Sequence, residues 1–193
     1  MQTTVSRIRV VTALALAAAL FAIPAFGAPV VYTATLSGAA EAPPNASTGT
    51  GTATVTIDAA LHTMRVEVTF SGLISLNTNC HIHAATAVPF TGTAGVATTL
   101  PTFAGFPSGV TGGNYDNTLN MTLAGSYNPA YVTANGGTSA SAEAALFQAI
   151  ADGKAYLNIH SQQFPGGEIR GFLTPAPVPT QESTWGSIKA MYR

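Results

Sequence analysis

The sequence predicts an all-β fold, an antiparallel Greek-key-like β-sandwich with one inserted short α-helix, on three observations. From Val30 to Leu173 the chain is rich in Thr, Val, Ala and Gly, and its apolar residues alternate with polar ones over short runs. That is the period of a strand with one buried face. Stretches rich in Pro, Gly, Ser and Asn separate the runs and carry turn chemistry. From Val30 to Leu173 only one segment, 141–151, spaces its apolar residues as a helix does.

The first run, Val30 to Leu36, sets Val30, Tyr32, Ala34 and Leu36 against Val31, Thr33 and Thr35. The second sets Ala53, Val55 and Ile57 against Thr52, Thr54 and Thr56. Between them lies SGAAEAPPNASTGTG, a loop, because Pro43-Pro44 cannot donate to a ladder. Residues 65–70 point Val66, Val68 and Phe70 inward, and Ser71-Gly72 ends the run. Residues 79–84 divide into an apolar face (Cys80, Ile82, Ala84) and a polar one (Asn79, His81, His83). The stretch 88–117 reads as one or two short strands within long loops, and Leu119, Met121 and Leu123 mark a further strand.

In the helix, Ala142, Ala145, Leu146, Ala149 and Ile150 recur on one side, Glu143 is assigned to the first turn, and Gly153 supplies the stop. AYLNIHSQQFPGGEIRGFL then reads as two strands around a Pro165-Gly166-Gly167 turn. Tyr156, Asn158 and His160 share one face of the first, and Ala155, Leu157 and Ile159 the other. The predicted core comprises Val55, Ile57, Val66, Val68, Phe70, Ile82, Leu123, Leu157 and Ile159.

The flanks differ in character. Arg7 and Arg9 precede an apolar run from Val10 to Ile23, then Pro24 and Ala25-Phe26-Gly27. This is the pattern of a signal peptide over residues 1–27, cleaved near Gly27, and it predicts a secreted or periplasmic protein. The β-domain then covers 28–173. Residues 174–193 form a Pro-rich linker and a short tail, in which Trp185, Ile188 and Met191 or Tyr192 fall at helical spacing. The tail reads equally as a docking element and as a frayed terminus. No stretch of the mature chain is long and apolar enough to span a bilayer.

Composition narrows the function. Seven basic and eight acidic residues in 193 make up 8% charged residues, with no basic cluster, which excludes a nucleic-acid partner. The single cysteine, Cys80, permits no intrachain disulfide. No G-x-S-x-G elbow, phosphate loop, dinucleotide fingerprint or H-E-x-x-H occurs, and a hydrolase lacks a nucleophile with an evident base.

Three histidines carry the chemistry that remains. His81 and His83, two apart on a strand, project from one face, and His160 from another strand would complete a three-nitrogen set suited to copper or zinc. Imidazole must be neutral to coordinate, so such a site weakens as pH drops through about 6.5. Asn158 and Glu168 are candidates to support these rings. The competing reading makes the histidines, with Asn79, Asn158 and Glu168, a hydrogen-bonded network that braces the sheet. Glu168 and Arg170 share a strand face and are predicted to clamp it. Glu41 is predicted to cap backbone amides, and His62 to lie at the surface. Cys80 points away from His81 and is read as an inert, buried thiol.

TATLSGAAEAPPNASTGTGTATVTID, HIHAATA and GKAYLNIHSQQFPGGEIRGFL, in that order, resemble the CHRD domain, the module named after chordin and also found in secreted bacterial proteins. The resemblance runs from about Val30 to Leu173. The run after HIH, AATAVPFTGTAGV, departs from the Gly-rich one expected there. The resemblance implies an extracellular β-rich domain and brings no catalytic residue or ligand for bacterial members. The first reading is therefore a secreted, non-enzymatic CHRD-domain protein that binds an unidentified extracellular ligand or protein, or has a structural role. The alternative is a copper- or zinc-binding protein using His81, His83 and His160, redox active if the ion is copper.

Overall fold

The computed structural model describes residues 27–177. The predicted signal peptide, apart from its last residue Gly27, lies outside the described residues, as does the tail beyond Pro177. Among the described residues no helix is long and apolar enough to cross a membrane.

The chain is all-β and antiparallel with an inserted helix. Its strands are β1 (Val30–Ser37), β2 (Thr50–Asp58), β3 (Thr63–Ser71), β4 (Asn77–His83), β5 (Gly113–Asn120), β6 (Tyr156–Ser161), β7 (Ile169–Phe172) and β8 (Thr174–Pro175). They join in one 8-stranded sheet, ordered β4-β6-β7-β1-β2-β3-β5, with β8 paired to β1. β1, β2 and β3 form a meander. The chain then crosses to the far end for β4, returns beside β3 for β5, and crosses again to lay β6 beside β4. The two layers predicted from sequence are thus the halves of one continuous sheet.

The sheet turns over at β1, which meets β7 only at Ser37 and Arg170 and meets β8 at Tyr32 and Thr33. Gly171 permits the close approach there, since a Cβ would stand 2.3 Å from the Thr35 carbonyl oxygen. Folding over lets both halves bury apolar faces in one core, where Leu36, Val55, Val66, Ile82, Leu157, Ile159 and Ile169 are fully buried.

The predicted strand faces stand, with one exception. Leu123 is 57% exposed. β5 ends at Asn120, whose side chain accepts hydrogen bonds from the Thr122 amide and hydroxyl, and this turn carries Leu123 out of the ladder.

Two helices follow, α1 (Pro129–Ala134), which the sequence reading omits, and α2 (Ser139–Ala151). α2 begins two residues earlier than predicted because Thr138 caps it in a reciprocal box with Ser141. Glu143 therefore falls beyond the first turn, is buried, and accepts a hydrogen bond from the His62 ring at 2.9 Å. His62 itself is at the surface, as predicted. Leu146 and Ile150 are fully buried in the core, and Gly153, at φ +67°, turns the chain toward β6.

Candidate metal centre

β4 lies at one end of the sheet path, and a long irregular segment covers its outer side. Phe103 donates its amide to the Cys80 carbonyl, Ala97 to the Ile82 carbonyl, and the Thr98 and Thr102 hydroxyls accept from the Ile82 and Cys80 amides. This segment falls in the region that sequence patterning left as loops, and it places backbone carbonyls over the polar face of β4. The inner neighbour is β6, with His81 opposite Asn158, His83 opposite Tyr156 and Asn79 opposite His160. His160 is therefore diagonal to His81, within side-chain reach.

The structure brings the three predicted histidines together. His81, His83 and His160 are all buried, at 3%, 7% and 8% exposed. Their ring centroids lie 5.3, 5.5 and 5.9 Å apart, and one ring nitrogen of each is within 4.8 Å of the others.

The hydrogen bonds assign the tautomers. His83 Nδ1 is 2.9 Å from the Ala94 carbonyl oxygen and His160 Nδ1 is 3.0 Å from that of Pro165. His81 Nε2 is 2.5 Å from the carbonyl oxygen of Pro101. A carbonyl only accepts, so each of these nitrogens carries the hydrogen. In neutral rings the lone pairs are then on His83 Nε2, His160 Nε2 and His81 Nδ1. The first two face each other at 3.4 Å, and the third is buried without a partner.

The rings are held neutral. Burial lowers His81 and His83 from 6.5 to about 4, against the raising effect of the carbonyls they bond, and burial lowers His160 in the same direction. A proton shared between His83 and His160 is thus disfavoured, and two acceptor nitrogens stand in near contact.

A family model for the CHRD domain matches residues 32–173. The chain belongs to the CHRD family. No curated protein and no solved structure matches it.

In this CHRD domain further residues surround the histidines. Tyr156 stacks flat on His83, with centroids 4.9 Å apart and planes 5° from parallel. Its hydroxyl bonds the backbone of Ala94, the residue whose carbonyl holds His83. The Arg170 guanidinium lies 4.7 Å from the centroid of the Tyr156 ring, a cation–π contact, and donates to the Ala40 and Gly92 carbonyls. Arg170 Nε is also 3.8 Å from a Glu41 carboxylate oxygen.

Burial nevertheless raises Glu41 from 4.5 to about 7, outweighing Arg170, the Ala42 amide and Asn158. The Ala42 amide acts on the carboxylate, as a cap would, while Glu41 Oε1 is buried without a hydrogen-bond partner.

Glu168 does not clamp Arg170. One of its oxygens accepts from the Ser47 hydroxyl and the Ile74 amide, both at 2.6 Å, and ties two loops to the sheet. Asn158 lies opposite His81, beside Glu41, and neither it nor Glu168 hydrogen-bonds a histidine ring. The His160 ring, one of those Glu168 was a candidate to support, is held instead by the Pro165 carbonyl. Cys80 is buried in the core, as predicted, with burial pushing its thiol well up.

Sequence reasoning missed Tyr156, Arg170 and the carbonyls of Ala94, Pro101 and Pro165 as parts of the site. Alternation placed Tyr156 on the His160 face, which was a usable signal. The carbonyls left none.

Proposed function

We propose that this CHRD domain binds one transition-metal ion, copper or zinc, through His81 Nδ1, His83 Nε2 and His160 Nε2. The observation that carries this reading is the 3.4 Å approach of two ring nitrogens that both present lone pairs, with a third buried nitrogen unpartnered beside them. Ligands held about 2.0–2.1 Å from a tetrahedral ion lie about 3.3 Å apart, which the His83–His160 pair already meets. One nitrogen of each ring lies within 4.8 Å of the others, so the widest gap closes with at most about 1.5 Å of relative ring movement.

The reading falls within the extracellular-type binding role of the CHRD family and takes the metal as the domain's ligand. Nothing in it requires turnover. The chain would be exported, with its leader removed near Gly27, and N-terminal sequencing of the mature protein checks the cut.

Metal analysis of protein purified without an affinity tag tests the site. The expected result is one copper or zinc ion per chain, lost in His81→Ala and in His160→Ala while the circular dichroism spectrum is unchanged. Retention of the metal by both folded variants overturns the reading.

Because His81 and His83 titrate near 4, protons compete with the metal at lower pH than free imidazole implies. Affinity should hold through pH 6 and fall toward about pH 4.

A further inference from the structure

The charges around the histidines bear on which ion they take, an inference that rests on the metal reading above. All three donors are neutral nitrogens. Their N–H groups are held by the carbonyls of Pro101, Ala94 and Pro165, and by none of the carboxylates that often back metal-bound histidines.

Two carboxylates, Glu41 and Glu168, are buried in the domain, and neither hydrogen-bonds a histidine ring. Arg170, stacked on Tyr156, is offset only in part by Glu41 3.8 Å away, whose carboxyl is raised to about 7 by burial, and its positive field reaches His83. One oxygen of the Glu168 carboxylate is engaged by Ser47 and Ile74, and the other is buried without a partner. Cys80, the one thiol, faces the core from the opposite side of β4.

The cost of burying an ion grows with the square of its charge, so a dication here carries about four times the penalty of a monocation. Zinc sites commonly offset that penalty with thiolates, or with a water or hydroxide at an open position. Here no thiolate is offered, and the three histidines are at most 8% exposed.

We propose that the site selects Cu(I), a monovalent ion held by three neutral imidazoles, over Zn(II). The mature protein, prepared tag-free and metal-free, tests this in two titrations. Cu(I) is added anaerobically in competition with bicinchoninate, and Zn(II) is added against a fluorescent zinc indicator.

The expected result is one Cu(I) per chain, bound roughly 100-fold or more tighter than zinc. Ag(I), a redox-inert surrogate, should perturb the same three histidine side chains in NMR spectra. Zinc bound as tightly as Cu(I), or more tightly, overturns the selectivity and leaves the metal reading standing. Failure of both ions to bind stoichiometrically overturns both.

Arg170→Gln tests the charge argument separately. Removing the nearest cation should narrow the gap between Cu(I) and Zn(II), and an unchanged ratio in the folded variant counts against the proposal.

Discussion

Tyr156 does two jobs for His83: its ring fixes the imidazole plane, and its hydroxyl fixes the Ala94 backbone that fixes the imidazole tautomer. Groups that orient a metal-binding histidine from behind commonly contribute about 10–100-fold to affinity. Tyr156→Phe keeps the stack and loses the hydroxyl, so metal affinity should fall about tenfold with the fold unchanged, as read by chelator competition. At this scale the sequence showed the three histidines and their shared face, because strand alternation is local. The carbonyl partners were invisible, since every residue has a carbonyl and only the path of the chain aims one at a ring.

Between elements, two junctions hold the site strands in place. At the first, β7 crosses β1 where Gly171 leaves room for the Thr35 carbonyl. Gly171→Ala would force these backbones apart and should cost about 1–3 kcal/mol, measured by urea denaturation. At the second, α2 delivers the chain into β6, and its start depends on the Thr138–Ser141 box. Thr138→Ala should cost about 1 kcal/mol in the same assay.

The inner face of β6 is held by packing. Leu157 is fully buried opposite Ile82, so Leu157→Ala should destabilise by about 2–5 kcal/mol. Strand existence and facing were legible in the sequence wherever alternation lasted five residues or so. The end of β5 was misjudged because the turn at Asn120 is made by a side chain, and apolar residues continue past it.

For the whole molecule, buried titratable groups set opposing pH trends in the metal-free protein. His81 and His83 titrate near 6.5 when unfolded and about 4 when folded, and His160 shifts the same way. As pH falls from 6.5 toward 4 the unfolded chain takes up protons first, so their contribution to stability is lost over that window. Glu41 acts oppositely, at 4.5 unfolded and about 7 folded. As pH rises from 4.5 to 7 the unfolded chain loses that proton first, and stability declines until both states are ionised.

Melting temperatures measured from pH 4 to 8 should therefore fall on the acid side, where three histidines act together. In Glu41→Gln the decline toward pH 7 should be reduced relative to the parent. A saturating metal should raise the melting temperature at pH 7 and lose that effect toward pH 4.

The sequence by itself determined the class of the fold, most strand faces, the helix, the family and the three candidate histidines. These depend on periodicity, composition and short motifs, which are properties of neighbouring residues. Tertiary structure alone decided that the two layers are one folded-over sheet, that residues 94–103 cover β4, and that two of the histidines present lone pairs to each other. The reason is physical: a ring's tautomer and charge follow from what its other nitrogen touches and how deeply it is buried. Both are set by segments that meet only when the chain has folded.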